Sequence, residues 1–446
     1  MKAGKKLLPV QVLALGLLII IFIGGILLSS PLCNRSGSFT PFIDGLFTST
    51  SATCVTGLIV NDTFTQFNFF GQLIILVLIQ IGGLGFMGIV MTIPILIGKK
   101  LSIIQSTLLM ESVGILRRSK VSSTIRRMLI GTALFEGIGA VVLAAVFIPK
   151  VGILPGIWYG IFHSVSAFCN AGFDLMGRFE KFSSLTLFYD NPVVLITIML
   201  LIISGGIGFI VWNDIADYKF KIKKYSLHSK IMLLFTGVII FAGALLFFFT
   251  EGQSSFAGMN FGDKIVNSFF ASVSPRTAGF NSVSFDEMTS AGRFITMLLM
   301  FIGAGSGSTG GGIKITTIVA LMLSIDAYSR NYNDLSIFKR RLTAGTQKKS
   351  MAIISAYMLI VLTCNFFLLI FNPQLPGEEC LFEALSAMGT VGLTMGITTS
   401  LGLASKLVLM ITMYMGRLGS LALAMAIVRR KVIPKIHFPE ENIVVG

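Results

Sequence analysis

Four glycines, Gly57, Gly172, Gly279 and Gly392, stand in one common frame. Ten residues before each comes a phenylalanine: Phe47, Phe162, Phe269 and Phe382. Six before come Ser51, Ser166, Val273 and Ser386, and five before come Ala52, Ala167, Ser274 and Ala387. Leu58, Phe173, Phe280 and Leu393 follow immediately. The glycines lie 115, 107 and 113 residues apart, which marks an internal repeat of about 110 residues. A glycine lets the backbone aim its carbonyls in directions a side chain would penalise, and a ring of carbonyls can replace the hydration shell of a monovalent cation. The candidate ligands are the carbonyls of Val55, Thr56 and Gly57, of Asn170, Ala171 and Gly172, of Thr277, Ala278 and Gly279, and of Thr390, Val391 and Gly392. Any one of these glycines would suit an ordinary turn; four in register favour the ring.

The elements that must position such a ring are membrane spans. Of 446 residues, 54% are hydrophobic and 12% charged, about half the charge of a typical soluble protein. This composition excludes a soluble enzyme and a disordered chain alike. Charge-free runs long enough for a bilayer lie between Lys6 and Arg35, Asp62 and Lys99, Asp190 and Asp214, Lys230 and Glu251, Arg293 and Lys314, and Lys349 and Glu378. Two more spans each tolerate one charge: Met128 to Ile148 contains Glu136, and Leu407 to Val428 contains Arg417. Eight spans are therefore expected. The first, behind Lys2, Lys5 and Lys6, is expected to be a retained helix rather than a cleaved signal, because its apolar run is long and no small-residue cleavage site follows.

If the chain crosses eight times, five basic clusters fall on one side: the N-terminus, Lys99 to Arg127, Lys219 to Lys230, Arg330 to Lys349 and Arg429 to Lys435, together 25 of the 35 basic residues. The positive-inside rule makes that side cytoplasmic, with both termini inside a cell membrane. The net charge of +15 is thus mostly topology, and no nucleic-acid partner is implied. The outer side carries eight basic against twelve acidic residues, a net of −4 that either concentrates cations or is an ordinary solvated face. Each outer segment also holds a short apolar stretch before its frame glycine. Such re-entrant backbone is tolerated at membrane depth only where protein buries it or it lines a watery cavity. The C-terminal ends of these half-helices would point their negative dipole ends at the cation.

The sixth span is interrupted by Gly303, Ala304, Gly305, Ser306, Gly307, Ser308, Thr309, Gly310, Gly311, Gly312, Ile313 and Lys314. Six glycines at about 1 kcal/mol each relative to alanine should open the helix. The stretch contains a GxGxxG pattern, but no strand precedes it, and Ile313 stands where a phosphate-binding loop needs its lysine. Nucleotide binding here is not expected. Arg417, in mid-span, must face a cavity or a partner, one candidate being Glu136. Gly82-Gly83-Leu84-Gly85, Gly205-Gly206-Ile207-Gly208 and Gly416-Arg417-Leu418-Gly419 share a spacing that reads as close-packing glycines. The five cysteines are scattered without a CxxC pair, and His163, His228 and His437 are far apart, so no zinc site, disulfide framework or catalytic constellation is indicated.

With Thr53-Cys54-Val55-Thr56-Gly57, Cys169-Asn170-Ala171-Gly172-Phe173, Arg276-Thr277-Ala278-Gly279-Phe280, Gly389-Thr390-Val391-Gly392-Leu393 and the broken helix, the chain resembles the Trk, Ktr and HKT cation transporters over essentially its whole length. It is most similar to their bacterial KtrB-type potassium-translocating subunits. The resemblance implies an all-α, potassium-channel-like membrane protein with four helix, pore-loop, helix units around a pseudo-fourfold pore. The units would be about 7–98, 126–216, 230–328 and 350–430 of one membrane domain, followed by a short cytoplasmic tail, 431–446. It implies potassium uptake, favoured by glycine at position 57 where sodium-selective plant relatives carry serine, and dependence on sodium, for which the sequence shows no site. It also implies that the glycine-rich stretch is a gate below the filter with Arg417 beside it, and that the protein is a homodimer. Its partners would be a cytoplasmic nucleotide-binding RCK ring (KtrA-type) and membrane lipid; anionic lipid alone would also explain the basic loops. An alternating-access cation symporter and an intramembrane enzyme are the alternatives to a gated pore.

Overall fold

The computed structural model describes residues 9–85, 88, 121–332, 334–343 and 345–419. Pro9–Ser29, free of charged residues, forms one helix, α1. After a loop, α2 (Phe42–Cys54) is shorter and buried from Phe47 to its end. Helix α3 (Phe69–Leu84) starts at Asn68, whose side chain accepts from the Gly71 N–H at 3.1 Å. This order of long helix, short buried helix and second helix recurs. It is α4 (Val121–Val151), α5 (Ile153–Phe168) and α6 (Pro192–Gly206), the last followed by α7 (Phe209–Tyr218). It is then α8 (Leu227–Glu251), α9 (Phe261–Val273) and α10 (Ser290–Phe301), followed by α11 (Ile315–Ser329). Last come α12 (Thr346–Phe371), α13 (Gly377–Gly389) and α14 (Leu403–Leu418).

Among the described residues, four stretches, Gln11–Ser29, Ser123–Val151, Leu227–Glu251 and Thr346–Phe371, are helical and apolar over enough length to cross a membrane. The second helices are shorter than the full spans expected from hydropathy. Helix α3 has 16 residues, α6 has 15, α10 has 12 and α14 has 16. For α3, α6 and α14 the stops are local. Gly85, Gly208 and Gly419 adopt φ of 80°, 94° and 86°, outside the helical region and cheap only for glycine. The run from Asp190 to Asp214, expected as one span, is accordingly broken at Gly208, where α6 and α7 meet at 92°. The opening expected in the sixth span is present between Phe301 and Ile315. Among the described residues, paired strands are limited to a hairpin joining Ser336–Ile337 to Arg340–Arg341, a small departure from the all-α expectation. Both termini, the loop 89–120 and the tail 431–446 lie outside the described residues, as do the basic clusters they contain and the expected orientation.

The short helices are buried because the longer ones surround them. Phe47, Phe162 and Phe382 of the repeat frame have no exposed surface. Phe269 departs from the pattern: it is half-buried, while its neighbour Phe270 is buried. Unit four closes back onto unit one where the Lys406 ammonium meets the Asp44 carboxylate at 2.7 Å.

Candidate functional site

Each short helix ends just before its frame glycine, and the backbone there follows one pattern. The residue two before the glycine is left-handed in every unit: Val55 at φ 58°, Asn170 at 57°, Thr277 at 77° and Thr390 at 51°. The glycines themselves have φ of 94°, 71°, 80° and 93°. Left-handed backbone strains a side-chain-bearing residue, above all β-branched Val and Thr, by about 1–3 kcal/mol, so the surroundings must enforce it. They do so through the frame serines. The N–H of the residue just before each glycine donates back to a serine carbonyl: Thr56 to Ser51 at 2.8 Å, Ala171 to Ser166 at 2.8 Å, Ala278 to Ser274 at 2.9 Å and Val391 to Ser386 at 2.9 Å. The serine hydroxyls brace the same turns. Ser51 and Ser386 accept from the Gly57 and Gly392 N–H groups at 3.0 and 3.1 Å, whereas Ser166 and Ser274 donate to the Phe173 and Phe280 carbonyls. The N–H just before each frame glycine is therefore committed backwards, away from the carbonyls of its segment. This use of the serines was visible in the sequence as one residue type at one frame position, displaced by one residue in unit three, but its purpose was not.

The four segments meet. A Cβ placed on Gly57 would fall 2.6 Å from the Ala171 carbonyl oxygen, and one on Gly172 would fall 2.8 Å from the Ala278 oxygen. A Cβ on Gly279 would strike the Val391 oxygen, and one on Gly392 the Thr56 oxygen, closer still. Each glycine thus faces the carbonyl that precedes the next unit's glycine, and the circuit one, two, three, four closes on unit one. All twelve candidate ligand residues from Val55 to Gly57, Asn170 to Gly172, Thr277 to Gly279 and Thr390 to Gly392 lie in this buried ring.

The glycine-rich loop packs against the same segments. Gly310 lies against the Thr277 side chain and Gly311 against that of Thr390, while Gly312 faces the Gly389 carbonyl. The Thr309 hydroxyl lies 3.1 Å from the Phe168 carbonyl and 3.2 Å from Asn170 Oδ1. Backbone bonds from Gly305 and Thr309 to the Gly206 and Gly205 carbonyls, and from Phe209 to Gly307, tie the loop to the break in the second unit. Gly303 packs on Gly311 to Ile313, Ser308 bonds to the Gly305 carbonyl, and Ser306 meets Thr316 at 2.9 Å. Lys314 folds back so that its ammonium donates to Gly310 and Gly311 at 2.6 and 3.0 Å.

Arg417 closes this set. Its guanidinium donates to the Thr309 carbonyl of the loop and to the Gly82 carbonyl at the end of α3. It does not pair with Glu136, which instead accepts from Gln80 at 3.1 and 3.2 Å near the Cys169 thiol. The glycines sharing the spacing Gly-x-x-Gly do pack closely: a Cβ on Gly82, Gly205 or Gly416 would strike the carbonyl of Thr53, Phe168 or Met388, each four residues before a frame glycine. His163 is structural, bonded through Nδ1 to the Tyr159 carbonyl and accepting from the Leu175 N–H at Nε2. In the loop beyond Gly172, burial pushes the Asp174 carboxyl up to about 7, against the Met176 N–H that favours its ionised form and with some help from Asp62.

Residues 24–438 match the family model described as TrkH, cation transport protein. The chain belongs to the TrkH cation transport protein family. It is 40% identical to the potassium/sodium uptake protein NtpJ of Enterococcus hirae, across 100% of this chain and 99% of that one. It is 37% identical to the Ktr system potassium uptake protein B of Bacillus subtilis, across 98% and 97%. Its fold resembles the crystal structure of the potassium transporter TrkH from Vibrio parahaemolyticus, with a TM-score of 0.73 over 96% of this chain and 86% of that one at 18% identity. The family is one of membrane cation transporters, not of enzymes.

Proposed function

We propose that this protein takes up potassium across the cell membrane through the ring of backbone carbonyls around Gly57, Gly172, Gly279 and Gly392. The observation that carries the reading is the closed circuit of glycine-to-carbonyl approaches through all four units. Carbonyl dipoles held by a braced backbone can substitute for water around a monovalent ion. The short helices end at the ring, and their C-termini, each worth roughly half a negative charge, add to the attraction. The names of the Enterococcus and Bacillus relatives support potassium as the ion, with sodium as a coupled or activating ion. The loop from Gly303 to Lys314 is the gate: it lies against three ring segments, and Arg417 and Lys314 place two positive charges beside it.

The full reading is one membrane domain of four units and eight crossings, with both termini in the cytoplasm. The protein works as a homodimer whose gate is controlled by a nucleotide-binding ring on the cytoplasmic face, a separate component in keeping with the word "system" in the Bacillus relative's name. The test is growth of a potassium-uptake-deficient bacterium in low potassium, with and without added sodium. Growth restored by the wild-type chain and lost with a Gly57→Ser, Gly279→Ser double variant supports the reading. Restoration equally good with that variant refutes the ring.

A further inference from the structure

The four left-handed residues beneath the ring are not equivalent. Val55 carries no polar group, and the Thr390 hydroxyl is buried without a hydrogen-bond partner. Asn170 differs from both. Its side chain has no exposed surface, and both ends of its amide are engaged. Oδ1 shares the single hydroxyl proton of Thr309 in the glycine-rich loop, at 3.2 Å, with the Phe168 carbonyl at 3.1 Å. Nδ2 donates to the Thr277 hydroxyl at 3.1 Å and lies 3.4 Å from the Arg276 carbonyl, both in the third segment. Thr309 and Thr277 are likewise fully buried. The Thr309 carbonyl is the atom that Arg417 holds. A continuous polar chain therefore runs from Arg417 through Thr309 and Asn170 to Thr277, and the last two residues supply main-chain carbonyls to the ring.

We propose that Asn170 is a positioning residue that couples the glycine-rich loop to the cation-selecting ring. When the loop leaves its seat, Asn170 Oδ1 loses its donor. In this water-poor site the amide must then rotate toward another partner, which shifts the second and third segments together. Loop position and ion preference thus become linked quantities, and linkage is reciprocal. Asparagine is apt here: among side-chain-bearing residues it tolerates left-handed backbone best while offering both a donor and an acceptor. The inference rests on the proposed roles of ring and loop.

The test is a double-mutant cycle in liposomes, with basal cation flux and potassium-over-sodium preference both measured. Asn170→Gly removes the amide without backbone strain, because glycine accepts φ near 57°. Thr309→Val removes the loop hydroxyl, and Thr309→Ser restores it. The expected result is that Thr309→Val, although a loop variant, lowers ion preference about fivefold, as loss of one hydrogen bond would. Asn170→Gly should raise basal flux, the double variant should go no further than the larger single effect, and Thr309→Ser should behave as wild type. If Asn170→Gly reaches the membrane poorly, Asn170→Ser serves, since its hydroxyl is too short to span both partners. Wild-type ion preference in Thr309→Val, or effects that multiply in the double variant, overturns the coupling. Gly57→Ser runs alongside: unchanged preference there faults the ring itself rather than its link to the loop.

Discussion

Gly57→Ser is expected to lower the potassium preference proposed for the ring, because the new side chain has nowhere to go. At φ 94° the backbone is left-handed, which costs a side-chain-bearing residue roughly 1–2 kcal/mol. The added Cβ would lie 2.6 Å from the Ala171 oxygen, about 0.8 Å short of ordinary contact, and 3.2 and 3.3 Å from the Cα atoms of Gly172 and Gly392. Those neighbours are backbone, with no side chain to swing aside. The Ala171 carbonyl is itself a candidate ligand, so relief of the clash displaces a coordinating oxygen by most of an ångström. A loss of at least about 1.4 kcal/mol in the difference between potassium and sodium, tenfold in preference, is expected. Competitive uptake of the two ions into liposomes measures it. Gly37→Ala is the matched control: φ is 66°, but nothing lies within 4 Å of the added atom, so it carries the backbone strain without the clash and should keep wild-type preference. Unchanged preference in a well-folded Gly57→Ser protein would refute the argument, and so would an equal loss in Gly37→Ala.

Three further outcomes are expected. Arg417→Ala removes charge-assisted bonds to Thr309 and Gly82, worth about 1.5–3 kcal/mol each, and should raise basal flux at least about tenfold; Arg417→Lys, a single point charge, should not bridge both carbonyls, and stopped-flow flux measures both variants. Deleting Gly305 to Gly312 should raise basal flux as well, and a deletion that conducts no faster than wild type contradicts the gate. Asp174 is protonated below about 7, so uptake from limiting potassium should weaken as external pH falls from about 8 to about 6, and Asp174→Asn should flatten that profile.

The ring was legible in the sequence because its geometry demands particular residue types. Gly57, Gly172, Gly279 and Gly392 must approach neighbouring backbone, so they recur in frame, and a serine must brace each turn, so it recurs in frame in three units and one residue later in the third. The left-handed position two residues earlier was not legible. Val55, Asn170, Thr277 and Thr390 share no single residue type, and packing imposes on them a conformation that Val and Thr resist on their own. The break at Gly208 was hidden for a different reason. Hydropathy runs evenly through Pro192 to Trp212, and the glycines there read as packing residues; they do pack, but Gly208 also ends a helix. Arg417 and Glu136 were lone charges in apolar spans, and only the fold could decide between mutual pairing and separate partners: backbone carbonyls for the arginine, and Gln80 for the glutamate.

Potassium and sodium influx measured in competition, into liposomes holding the purified wild-type chain, tests the central claim most directly. A carbonyl ring predicts influx that favours potassium, needs no counter-transported ion and falls when the four frame glycines are replaced. Influx that is indifferent to the ion, or that survives those replacements with its preference intact, would contradict it.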